Sequence, residues 1–86
     1  MKIKEATILS QKAKEFETEI LKRGYDFHTR TRFDRRGEEY IISKDGLHYV
    51  SFGEDIVSTV SNERLLAETE KQMKVLIDRW NKEAEA

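Results

Sequence analysis

The sequence predicts an α+β fold: a helix, a three-stranded antiparallel meander and a long C-terminal helix, with both helices on one face of the sheet. Three observations predict it. Apolar residues recur at helical steps near the N-terminus, the period changes to two between Tyr25 and Val60, and a helical stripe resumes beyond Asn62. The 86 residues are read as one domain spanning 1–86, because a chain of this length buries only about 60% of its unfolded surface and has no room for a second core.

The first helix is expected over about Glu5 to Arg23, where Ala6, Leu9, Ala13, Phe16 and Ile20 share one face. Gly24, directly after Lys22 and Arg23, matches the left-handed position past a helix end, with the two cations near the negative pole of the helix dipole. From Tyr25 onward Phe, Tyr, Thr, Ile and Val take over, residues that suit a pleated surface. Asp34-Arg35-Arg36-Gly37 fits a type I turn, and Asp45-Gly46 is a strong hairpin signal. These turns predict strands near 25–33, 38–44 and 47–52. Ile56 to Val60 reads as a short fourth strand or an extended connector. Ser61 and Asn62 are both good N-cap residues, and Leu65, Leu66, Thr69, Met73, Leu76, Ile77 and Trp80 carry the C-terminal helix for more than four turns.

Taking the second turn as a two-residue loop and the first as a four-residue loop sets the register: Thr31 opposite Tyr40, Thr29 opposite Ile42, Ile42 opposite Tyr49. One face then holds Phe27, Phe33, Tyr40, Ile42, Leu47 and Tyr49, which the helices cover. The open face holds His28, Arg30, Arg32, Glu39, Ile41, Ser43, His48, Val50 and Phe52, with Arg32 across from Glu39. Arginines beside Ile41, Val50 and Phe52 admit two readings. One is a wet sheet face on which Arg stems shield apolar neighbours, and the other is a contact surface.

Composition narrows the chemistry. Sixteen basic against seventeen acidic residues leave a net charge of −1, so any electrostatic function is local. Cysteine is absent, which removes disulfides, thiolate nucleophiles and cysteine-type zinc sites. The apolar runs fall far short of the ~20 residues that span a bilayer, and the N-terminal residues lack a secretory apolar segment, so a cytoplasmic chain with no membrane partner is expected. His28 and His48, with a strand between them, lie about 10 Å apart and make a poor metal pair. No phosphate-binding glycine loop and no nucleophile elbow occurs, and a shallow core offers little volume in which to desolvate a carboxylate. Neither catalytic residues nor cofactors are expected. Trp80 reads either as a lid on the core or as an overhanging dimer contact.

The order helix, three strands, helix resembles the double-stranded RNA-binding domain. Ser61 to Glu68 carries Glu63 and Glu68 where that family places phosphate-binding lysines, which argues against duplex RNA binding. Thr29 to Trp80 also looks like the three-stranded-sheet DNA-binding domains at the front of phage integrases. That resemblance implies contacts to DNA from Arg30, Arg32, Arg35 and Arg36. Gly37 to Ser43 is similar to a strand of small phage-encoded inhibitors of CRISPR nucleases (anti-CRISPR-like proteins), which implies a domain that occupies another protein's surface.

The sequence is therefore read as a non-enzymatic protein-binding module, a small regulator or inhibitor that works through the open sheet face. Arg30, Arg32, Arg35, Arg36, Ile41, His48, Val50 and Phe52 are its candidate contacts. The alternative is a nucleic-acid-binding module using the same face and the first hairpin turn. A third reading is a structural subunit that forms a homodimer through the C-terminal helix.

Overall fold

A computed structural model describes residues 10–31 and 37–85 of the chain. Its elements are α1 (Gln11–Lys22), β1 (Asp26–Thr31), β2 (Glu38–Lys44), β3 (His48–Gly53), α2 (Glu54–Thr59) and α3 (Asn62–Glu85). The α+β arrangement and the antiparallel order β1-β2-β3 are as expected. Ala6, Leu9, Arg32, Phe33, Asp34, Arg35 and Arg36 lie outside the described residues, and most of the first hairpin turn lies there with them.

α1 begins where Ser10 accepts a hydrogen bond from the Ala13 N–H (3.1 Å). It ends in a Schellman arrangement: the Tyr25 N–H donates to the Ile20 carbonyl and the Gly24 N–H to that of Leu21, with Gly24 at φ 86°. Ala13, Phe16 and Ile20 are buried, as their spacing requires. Phe16 meets Phe27 and Phe52 edge-on, at ring-centroid distances of 5.9 and 6.1 Å. α1 therefore packs on the sheet face that carries those two side chains.

Both registers differ from the expected ones, and with different consequences. Between β1 and β2 the structure pairs Phe27 with Ile42 and Thr29 with Tyr40, a shift of two residues that leaves every side chain on its expected face. Between β2 and β3 it pairs Ile42 with Val50 and Ser43 with Tyr49, a shift of one that turns the whole of β3 over. The cause sits in the turn. Asp45 and Gly46 both have positive φ and the Leu47 N–H donates to the Lys44 carbonyl, as in a two-residue hairpin, yet pairing resumes only at Lys44 and His48. Leu47 is the extra residue. Val50, Phe52 and His48 consequently face the helices, while Tyr49 and Leu47, expected in the core, are 58% and 53% exposed.

Residues 56–60 form neither a fourth strand nor a wholly extended connector: Glu54–Thr59 is a short helix, and only Val60 is extended. Two carboxylates occupy its first turn, where the helix dipole favours them. At its other end the Lys12 ammonium donates to the Val57 and Val60 carbonyls and to Asn62 Oδ1, while the Asn62 amide donates to the Lys12 carbonyl. One side chain from α1 thereby satisfies the carbonyls that end α2 and ties both helices to the start of α3. Ser61 begins α3, accepting on its carbonyl from the Leu65 N–H and on its hydroxyl from the Arg64 N–H. Leu65, Thr69 and Met73 complete the core with Tyr40, Ile42, Val50, Phe52 and Val57.

Candidate functional site

The cross-strand pairing lays the open sheet face out in three rows: Asp26, Ser43 and Tyr49; His28, Ile41 and Ser51; Arg30, Glu39 and Gly53. Of the predicted contacts, Ile41 is on this face and half-buried, and Arg30 is on it and exposed. Arg30, in place of the expected Arg32, lies across from Glu39 and forms an ion pair with its carboxylate. Arg32, Arg35 and Arg36 lie outside the described residues. Val50 and Phe52 are only 2% and 9% exposed, and His48 is buried beside them. The apolar patch expected from Ile41, Val50 and Phe52 is therefore split between the two sides of the sheet, because the odd register shift carries Val50 and Phe52 into the core. The two histidines are separated in the same way, His28 on the open face and His48 under the helix.

Exposed apolar surface gathers elsewhere. The last fully buried residue of α3 is Met73, and the helix continues for about 18 Å beyond it, at 1.5 Å per residue. On this stretch Val75 is 50% exposed and Trp80 49%. Trp80 continues the stripe of Leu65, Thr69, Met73 and Leu76, and on the sheet it meets His48, the first residue of β3. The two rings meet edge-on at 6.1 Å. Leu47 is next to that histidine in the turn, and Tyr49 is one residue beyond it. Tyr49 also lines a depression together with Lys71, Gln72, Val75 and Leu76, and its hydroxyl donates to the Gly46 carbonyl (3.1 Å). Tyr49 and Val75 thus share a depression, and Trp80 packs on His48, the chain neighbour of Leu47 and Tyr49, where the second hairpin meets the distal half of α3.

Sequence reasoning missed Tyr49 and Leu47 by assigning them to the core. Val75 carried a readable signal, since it falls out of step with the stripe that runs through Met73, Leu76 and Trp80.

Around Glu70 of α3 the side chains are polar and paired. The Tyr25 hydroxyl donates to Glu70 Oε1 (2.8 Å), and Arg23 bridges Glu70 and Glu19 at 3.1 Å each. Burial and then the Glu70 hydrogen bond push the Tyr25 phenol up to about 12. Burial, followed by the nearby charges of Glu54 and Glu38, also raises the Tyr40 phenol. Glu54 itself accepts the Glu38 N–H at 2.9 Å and so closes the first residue of β2 against α2. These contacts hold elements together.

No described helix is long and apolar enough to cross a membrane. No family model matches the chain, and neither a curated protein nor a solved structure does.

Proposed function

We propose that the chain acts without catalysis as a protein-binding module, a small regulator or inhibitor, and that it docks through the end formed by Leu47, Tyr49, Val75 and Trp80. The observation that carries this reading is the grouping of exposed apolar side chains. Four of the six large exposed ones among the described residues lie there, whereas Leu21 and Ile56 are scattered singly. Isolated apolar residues are ordinary on protein surfaces, but apolar residues gathered at one end and including Trp and Tyr have the usual composition of an interface centre. The surface differs from the one expected at the open sheet face, whose apolar members are mostly turned inward. The nucleic-acid reading draws on Arg30 alone among the described arginines of the first hairpin, and its ion pair with Glu39 leaves a weak local field for a polyanion.

The test is affinity capture from nuclease-treated lysate with the wild-type chain and two variants. Trp80→Ala is expected to weaken partner capture at least tenfold, about 1.4 kcal/mol or more, as for an interface hot spot. Leu21→Ala, which truncates an equally exposed residue elsewhere, is expected to leave capture unchanged. Capture that disappears on nuclease treatment would transfer the function to nucleic acid, and equal loss in both variants would refute the location.

A further inference from the structure

The depression beside Tyr49 has a chemistry that defines its occupant more narrowly than the docking reading on which it rests. β3 is an outer strand of the sheet, so its free edge carries peptide N–H and C=O groups with no ladder partner among the described residues. α3 stands along this edge: Lys71, Gln72, Val75 and Leu76 form one wall of a hollow of about 220 Å³ and Tyr49 belongs to the other. The polar groups around it are mostly engaged. Lys74 pairs with Asp78 at 3.1 Å, Gln72 donates to Glu68 at 2.9 Å, and the Tyr49 hydroxyl is bound to Gly46. Lys71 has neither an ion pair nor a hydrogen bond among the described residues.

We propose that an extended segment of a partner protein adds to the edge of β3 as a fourth strand, and that this segment carries an acidic side chain and an apolar side chain two residues apart. The spacing follows from two repeats. Lys71 and Val75 are separated by about 6 Å along the helix, and side chains on one face of a strand recur every ~6.6 Å. The contacts of α3 with His48 through Trp80, and with Tyr49 through residues 71–76, run the helix antiparallel to β3. A strand added at the free edge of β3, alongside the helix, presents alternate side chains to the helix wall, one carboxylate reaching Lys71 and the next such side chain resting on Val75 and Leu76. The intervening residue lies beside Tyr49 on the other face. Main-chain hydrogen bonds to the edge supply affinity, and the two side chains supply selectivity.

The probe is a displayed library of random heptapeptides, selected against the wild-type protein and against Lys71→Glu. Wild type is expected to enrich sequences with Asp or Glu two positions from an aliphatic or aromatic residue. Lys71→Glu, at an exposed position and with an unchanged melting temperature, is expected to lose these and select Lys or Arg in their place. In a synthetic version of an enriched peptide, N-methylation at alternate residues should weaken binding at least tenfold, while methylation at the intervening residues should not. The inference is overturned if no sequence is enriched, if Lys71→Glu binds the same peptides equally well, or if the methylation pattern has no period of two. A dimer seen by sedimentation and lost in Val75→Asp would overturn it in favour of a second copy on the same edge. If the peptides fail while Trp80→Ala still abolishes capture, docking at this end stands without strand addition. If both fail, the docking reading falls as well.

Discussion

The two outer strands of the sheet differ in composition and in fate. β1 (DFHTRT) is exposed at every position except the half-buried Phe27, whereas β3 (HYVSFG) buries His48, Val50 and Phe52 and exposes the residues between them. Phe27, Thr29 and Thr31 face the same side of the sheet as Val50, yet only Phe27 has a helix above it, through the ring of Phe16. Over β3 both long helices contribute: Phe16 of α1 covers Phe52, and α3 runs from the core to Trp80 above His48. Alternation in a strand makes burial possible on one face, but the element lying across it decides whether burial occurs. The same comparison locates the interaction surface, which begins where α3 passes the end of β3 and the apolar stripe loses its cover.

The largest expected difference between the strands is in stability. Phe52→Ala should cost about 3–5 kcal/mol, the usual loss for a phenylalanine truncated in a core, while Thr29→Ala on β1 should stay within about 0.5 kcal/mol. Urea unfolding of the two variants measures this, and equal losses would mean that β1 is covered as well as β3.

A smaller effect is expected at the turn that orients β3. Gly46 has φ 67°, so Gly46→Val forces a β-branched residue into the left-handed region and should destabilise the fold by about 1 kcal/mol or more. An unchanged melting curve would show that the turn tolerates another geometry, and with it another register for β3.

The subtlest effect sharpens the β1 side, where Tyr25, just before β1, reaches across to Glu70 of α3 as Arg23 does. Its phenol is pushed up to about 12 in the folded chain, chiefly because burial disfavours the phenolate and next because the protonated phenol donates a hydrogen bond to the Glu70 carboxylate. The unfolded chain releases this proton at about 10. Between pH 10 and 12 the unfolded state therefore holds fewer protons than the folded one, so this contribution to stability is complete below pH 10 and is lost as the pH rises through about 12. Ultraviolet absorbance of the phenolate, followed against pH, should show a late-titrating tyrosine. Glu70→Gln should bring that step back toward the ordinary range.

Much of the fold was legible because its signals are local. Gly24 had to follow a helix end, Asp45-Gly46 had to turn a hairpin, and Ser61 had to stand before a long apolar stripe; each requirement is met within a few residues of backbone. α2 was not legible for a related reason. Ile56, Val57 and Thr59 are β-branched and favour strands, and the carbonyls that end the helix are satisfied by Lys12, which is 45 residues away from Val57 in the chain. Of the candidate contacts, Arg30 and Ile41 were placed on the correct face, since an error of two residues does not alter the direction of a side chain. Val50, Phe52 and His48 were placed on the wrong one, since an error of one residue reverses it.

The sequence by itself determined the number and kind of the long elements, the C-terminal end of α1, the start of α3 and the apolar face of each helix, because capping, turn geometry and periodicity act over one or two turns of chain. α1 begins at Gln11, after the Ser10 cap, and not near Glu5. Only the tertiary structure decided which side of β3 is inside and where α3 outruns its cover. Both depend on how many residues the second turn absorbs before pairing resumes, and on the length of helix set against the length of strand. A single residue, Leu47, accounts for the first: by lying outside the ladder it sends Val50 and Phe52 inward and leaves Tyr49 at the surface beside Val75.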